Sequence, residues 1–146
     1  MDYSFLSPVK DRLVDELELL HDQTIGKKLR IHSSTLEPAL DDVKMAVVGV
    51  LESRNSVDYI GEEFQFNEIR KAFYKLFPGN WLHPMADLGD IQRGNTVEDT
   101  YFALSQVVSS LVNANIVPVI IGGSQDLTYA NYRAYDKISS MVNIVN

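Results

Sequence analysis

Cysteine is absent from these 146 residues, so the chain can form neither a disulfide nor a thiolate metal site. Histidine is scarce: His21, His32 and His83 lie far apart, and no H-x-x-x-H pair places two imidazoles on one helical turn. Basic residues are also few. Thirteen Lys and Arg stand against twenty Asp and Glu, a net charge of −7, and no basic cluster is large enough to track a phosphate backbone. The longest apolar run, Ile116 to Ile121, is interrupted by Pro118 and falls far short of the roughly 20 residues that cross a bilayer. Neither nucleic acid nor a membrane is therefore an expected partner. "MDYSFLSPVKDRL" lacks the basic start and apolar centre of a secretory signal, which makes the cytoplasm the expected compartment. Also missing are G-x-G-x-x-G, G-x-x-x-x-G-K-[ST] and G-x-S-x-G, the signatures of dinucleotide folds, P-loops and nucleophile elbows.

What is present is an ordinary globular balance, 45% apolar and 23% charged residues, in a length that suits one domain. The spacing of Leu13, Leu17 and Leu20 predicts a helix over Ser7 to Leu29, opened by Ser7-Pro8 and closed by Gly26. A connector follows to residue 42, in which "KKLRIH" can form an edge strand. "KMAVVGV", Lys44 to Val50, reads as a strand buried on both faces. "EIRKAFYKLFPGN" reads as a helix with Ile69, Phe73 and Leu76 on its apolar face, stopped by Pro78-Gly79. Met85 to Leu88 is a short strand ended by Gly89. "NTVEDTYFALSQVVSSLVNAN" is a long helix, with Asn95 and Glu98 as a capping box and Val97, Tyr101, Leu104, Val108 and Leu111 as its stripe. "IVPVIIGG" is a third buried strand. "LTYANYRAYDKI" is a helix carrying Tyr129, Tyr132 and Tyr135 on a slowly drifting face suited to packing, and "MVNIVN" begins a fourth strand.

This alternation predicts an α/β fold, a three-layer α/β/α sandwich with a mostly parallel sheet, over residues 43–146, preceded by a helix and connector over 1–42. In such sheets ligands bind beyond the carboxyl ends of the strands, so the loops after Val50, Leu88 and Ile121 should share one working edge.

The stretch that draws attention on that edge is Gly122-Gly123-Ser124-Gln125-Asp126. Two glycines allow a sharp turn and a close approach, and the helix start beyond them offers unpaired N–H groups. Ser124 or Asp126 can cap that helix, or the loop can hold a polar ligand.

The ordered set "AVVGVLESRN", "NEIRKAFYKLFPG", "MADLGDI" and "NTVEDTYFALSQVVSSLVNANIVPVIIGGSQDLTYA" resembles the first half of the ureohydrolase superfamily, which includes arginase, agmatinase and formimidoylglutamase. The likeness covers roughly Val43 to Asn146 and looks closest to the bacterial arginase or formimidoylglutamase type. It implies an arginase-like α/β/α fold, two manganese ions, and hydrolysis of a C–N bond in a small linear amidine bearing a guanidino or formimino group. Two metals acidify a bridging water for attack on the amidine carbon, and oxygen and imidazole ligands suit manganese. In the family the glycine pair is followed by Asp-His-Ser, the His binding metal. Here Gln125 takes that position, with Asp126 one residue later as a carboxylate that can substitute only if it points into the same space. The family's other ligands, on Asp-x-His-x-Asp and Asp-x-Asp segments, do not occur in these residues. By the same likeness the loop from Glu52 to Gly61 shapes the substrate mouth, making Arg54 and Asn55 candidates for carboxylate recognition; an exposed loop Arg is otherwise simply solvated.

The resemblance therefore implies an amino-terminal fragment, truncated within a strand, with no catalytic residue of its own and no manganese bound. Two other readings stay open: a metal-free, non-catalytic relative that serves as a binding or assembly module, and a small phosphate-binding α/β protein. An exposed sheet edge in a half-sheet predicts self-association, most simply a homodimer.

Overall fold

The strand Met45–Val50 (β3) forms where the apolar run "KMAVVGV" predicts it, and residues 46–50 are all buried. It lies between Met85–Ile91 (β4) and Val117–Ile121 (β5), parallel to both. Two short strands complete the sheet on the far side of β4. Leu6–Ser7 (β1) pairs with it antiparallel and Arg30–Ile31 (β2) pairs with it parallel, so the path runs β1-β4-β3-β5 with β2 beside β4. "KKLRIH" thus supplies an edge strand. The computed structural model describes residues 1–57, 66–136 and 141–145.

Helices cover both faces. Val97–Asn113 (α4) and Leu127–Arg133 (α5) pack with Ala46, Val48, Val50, Ala86 and Leu88 in one apolar cluster. Asp11–Glu16 (α1) and Asn67–Tyr74 (α3) contribute Leu13 and Tyr74 to a second cluster, with Val9 and Ile31. Because strand side chains alternate, Ala86 and Leu88 point to the first layer while Asp87 between them points to the second. The result is the three-layer α/β/α arrangement.

Several local expectations are corrected. The single helix over Ser7 to Leu29 is instead β1, α1, a 3-10 turn at Leu17–Leu19, and the four-residue helix Ile25–Lys28 (α2). Ser7 is drawn into the sheet opposite Asp90, and sheet pairing overrides the capping role. Helix α3 does not bury Ile69, Phe73 and Leu76 together. Ile69 and Leu76 are exposed, Phe73 is only partly covered, and Arg70 and Tyr74 are the buried residues, because the facing sheet carries a carboxylate rather than a methyl group. Strand β5 is not fully buried. It lies at the sheet margin, Val117 is 56% exposed, and among the described residues no strand pairs with its outer side. Residues 141–145 form no strand and are exposed; residue 146 lies outside the described residues.

Strand β4 also runs past Leu88 to Ile91, through Gly89. Val47 pairs with Asp87 but Gly49 pairs with Asp90, so β4 holds one extra residue there, a bulge centred on Gly89 at φ +81°. A Cβ on Gly89 would lie 2.0 Å from the Ser7 carbonyl oxygen. The bulge has a chemical consequence. Asp87 and Asp90, three apart, would face opposite sides of a regular strand, yet both reach Arg70. Its Nε and Nη2 donate to Asp87 (2.8 and 3.1 Å), its Nη1 to Asp90 (2.7 Å) and its Nη2 to the Gly89 carbonyl (2.9 Å). The Tyr74 hydroxyl donates to Asp87 at 2.8 Å. Burial alone would lower the Arg70 pKa, but the two carboxylates outweigh it and hold the guanidinium charged. Burial, then the Asp87 charge, pushes the Tyr74 phenol up.

Candidate functional site at the carboxyl ends of the strands

Since β3, β4 and β5 are parallel, their carboxyl ends meet at one edge. Beyond Val50 the chain enters this edge through Leu51, whose N–H donates to Ile91 at 3.0 Å, and reaches Glu52, whose side chain is wholly buried. A buried carboxylate costs several kcal/mol unless it is fully paired. Glu52 is: Oε1 accepts from the backbone N–H groups of Ser53 and Arg54, both at 3.0 Å, and from Arg54 Nε at 2.9 Å. Oε2 accepts from Arg54 Nη2 at 2.6 Å and from the Thr100 hydroxyl at 3.0 Å. Burial would raise the Glu52 pKa, but the Arg54 and Thr100 bonds outweigh it and keep the carboxyl below its ordinary value. Arg54 reaches on to the carbonyls of Asn95 (2.9 Å) and Gly94 (3.1 Å). The pair therefore ties the end of β3 to the loop entering α4.

That tie explains a shift in the helix cap. Thr96, not Asn95, caps α4: its hydroxyl accepts from the Asp99 N–H at 3.1 Å while its own N–H donates to Asp99 Oδ2 at 2.8 Å. The buried stripe becomes Thr100, Ala103, Leu104, Val107, Val108 and Leu111. Leu104, Val108 and Leu111 are as expected, whereas Val97 and Tyr101 are only partly covered.

The glycine pair approaches from β5. The Glu52 carbonyl accepts the Ser124 N–H at 2.9 Å, and a Cβ on Gly123 would lie 1.6 Å from that same oxygen. Gly123 is thus required by close backbone approach. At Gly122 an added Cβ would meet only the tip of Leu127, at 3.0 Å.

The third element is Asp126. Its Oδ2 accepts from Asn55 Nδ2 at 3.0 Å and from the Tyr101 hydroxyl, and Asn55 Nδ2 also donates to the Tyr101 oxygen at 3.2 Å. Burial would raise the Asp126 pKa, but the hydroxyls of Ser124 and Tyr101 and the amide of Asn55 outweigh it and lower it. Burial and the bond to Asp126 push the Tyr101 phenol up. Among the described residues, Asp126 Oδ1 and Ser53 Oγ are buried and meet no partner at hydrogen-bonding geometry. Neither Ser124 nor Asp126 makes a side-chain cap on α5; Asp126 is already helical at φ −61°, ψ −20°, and its carboxylate turns to Tyr101 instead.

The sequence-predicted residues are therefore brought together, but to one another. Arg54 engages Glu52, Asn55 engages Asp126, and Gly123 and Ser124 abut Glu52. Gln125 is exposed beside them. Positions 58–61 of the predicted substrate loop lie outside the described residues. The histidines are elsewhere: His32 is buried with Nδ1 at 2.9 Å from the Leu88 carbonyl, while His21 and His83 rest against Phe77 and Trp81. Of the three tyrosines, Tyr135 packs against the core but Tyr129 and Tyr132 are exposed. Sequence reading missed Glu52, Thr100 and Tyr101. A Glu two residues before an Arg at the end of a buried strand was the available signal for the first.

No family model matches the sequence. Over an 87-residue alignment the chain is 30% identical to a formimidoylglutamase of Hahella chejuensis, taking in 53% of this chain and 26% of that one. The resemblance to the ureohydrolases is thus supported over part of the chain. The chain spans about a quarter of the length of that curated relative, and 41% of a structure of the agmatine ureohydrolase of Thermoplasma volcanium, which it overlays across 82% of itself at a TM-score of 0.47 and 20% identity. Ureohydrolases are generally manganese-dependent, so the fit of this edge to a divalent ion matters. The edge fits poorly. Gln125 offers a neutral amide; Glu52 and one oxygen of Asp126 are occupied by protein donors; and among the described residues no group of three or more His, Cys, Asp or Glu is placed to hold a metal ion. Asp126 Oδ1 is a hard acceptor, but it stands alone.

Proposed function

We propose that this chain is the amino-terminal half of the α/β domain of a ureohydrolase-type protein that hydrolyses C–N bonds in small linear amidines, and that the chain itself supplies scaffold rather than chemistry. The observation that carries this reading is the kinship with a formimidoylglutamase over 53% of the chain, together with coverage of only 26% of that relative. In this reading the metal ligands and the reacting groups belong to residues outside these 146. The test is release of urea, formamide or ammonia from guanidino and formimino substrates with manganese present. The chain alone should give none and a longer protein containing it should turn over; a longer protein inert on both substrate types would end the reading.

A second reading is favoured by one observation. With Gln125 at the imidazole position and Asp126 bonded to Tyr101 and Asn55, the edge suits a metal-free binding or assembly module. Self-association belongs to either reading and is supported by the open outer side of β5. Light scattering should show a species heavier than the 16.5 kDa chain, increasing with concentration.

A further inference from the structure

Three strand-end loops converge on this edge, and each is held there by a carboxylate that takes protein donors. Glu52 joins the end of β3 to the α4 entry through Arg54 and Thr100. Its carbonyl holds the β5–α5 junction through the Ser124 N–H. Asp126 closes the third side, taking the Tyr101 hydroxyl from α4 and the Asn55 amide from the β3 loop on one oxygen. We propose that these residues form a metal-free clamp in which Tyr101 and Asn55 take one oxygen of Asp126 and leave Oδ1 as the single uncommitted carboxylate oxygen of the clamp, so that the edge binds no manganese and would bind none even with an imidazole restored at position 125.

The chemistry supports a clamp over a vestigial metal position. A carboxylate that ligates a hard divalent ion must offer it a lone pair; on Oδ2 the lone pairs are already directed at a phenol from α4 and an amide from the loop after β3. A manganese site gathers several oxygen or imidazole ligands, and the other carboxylate of the clamp, Glu52, has both oxygens committed to Arg54. The donors are also placed to brace rather than to ligate. Tyr101 and Asn55 touch each other as well as Asp126, which closes a three-membered hydrogen-bonded ring across segments 46 and 71 residues apart in sequence. Exchanging His for Gln at one position is then not what keeps the metal away.

This inference rests on the ureohydrolase kinship only for its choice of ion; the clamp itself rests on the hydrogen bonds. The test uses the 146-residue chain and manganese(II) chloride as the probe, reading the six-line paramagnetic resonance signal of the free ion. The wild-type chain and Gln125→His should leave the signal of an equimolar ion undiminished. Depletion by the wild type that is reversed in Asp126→Asn would overturn the proposal by making Asp126 a ligand, and depletion by Gln125→His alone would overturn it by making the imidazole sufficient. The clamp has its own readout. Tyr101→Phe and Asp126→Asn should each lower Tm, while the double variant should fall no further than Asp126→Asn alone. Fully additive losses would show that the two side chains are not partners and would sink the clamp. Neither readout depends on amidine hydrolysis, so a failed assay of the longer protein leaves this result standing, and the reverse also holds.

Discussion

Gly123 and Glu52 approach so closely that a Cβ on the glycine would lie 1.6 Å from the glutamate carbonyl oxygen, and the next residue's N–H donates to that same oxygen. The glycine that the sequence assigns to a sharp turn and close approach at the strand end is needed here for a contact between two loops of the same chain.

Gly123→Ala should therefore destabilise the fold by at least about 1–3 kcal/mol, the usual cost of forcing an extra carbon into a closed contact. Gly122→Ala should cost much less, because only the Leu127 tip must move. Urea midpoints of the two variants give the comparison; equal losses would contradict the assignment of the close approach to Gly123.

Arg70→Met should be among the most damaging side-chain changes in the molecule. It leaves Asp87, fully buried, without its guanidinium, and unpaired buried charges cost roughly 3–5 kcal/mol. Arg70→Lys should recover only part of the loss, since an ammonium cannot donate in parallel to Asp87 while also reaching Asp90. Chemical denaturation distinguishes the two, and a Lys variant as stable as wild type would refute the bidentate role.

Thr96→Ala should cost about 1 kcal/mol by removing the capping box of α4, and Asn95→Ala should cost little. Circular dichroism melts of the pair decide between the observed cap and the one the sequence suggests.

Acid should weaken the carboxyl edge. The Glu52 and Asp126 pKa values are lowered in the folded chain, so their stabilising contribution is complete above the ordinary carboxylate range of about 4 and is lost as pH falls through and below it. Asp90 works in the opposite sense, being raised by burial, so protonation there favours the folded state. Asp126→Asn and Glu52→Gln should flatten the fall in stability below about pH 4; an unchanged acid limb in both variants would remove these groups from the account.

The order of strands and helices was legible in the residues alone. The apolar runs at Met45–Val50 and Val117–Ile121 record where strands form, and the 3.6-residue spacing of Leu104, Val108 and Leu111 records which side chains of α4 leave water; both are local properties of sequence. The parallel sheet and its working edge followed from their alternation. What tertiary structure alone decided were the long-range polar pairings: Arg70 rather than Ile69 turned inward to Asp87 and Asp90, Thr100 bonded to Glu52, and Asn55 bonded to Asp126. Glu52 and Thr100 are 48 residues apart, Asn55 and Asp126 71, and Arg70 and Asp90 20. A charge buried by one segment must be met by a donor from another, so its partner is chosen by the folded geometry, and no stretch of sequence short enough to show a periodicity contains both.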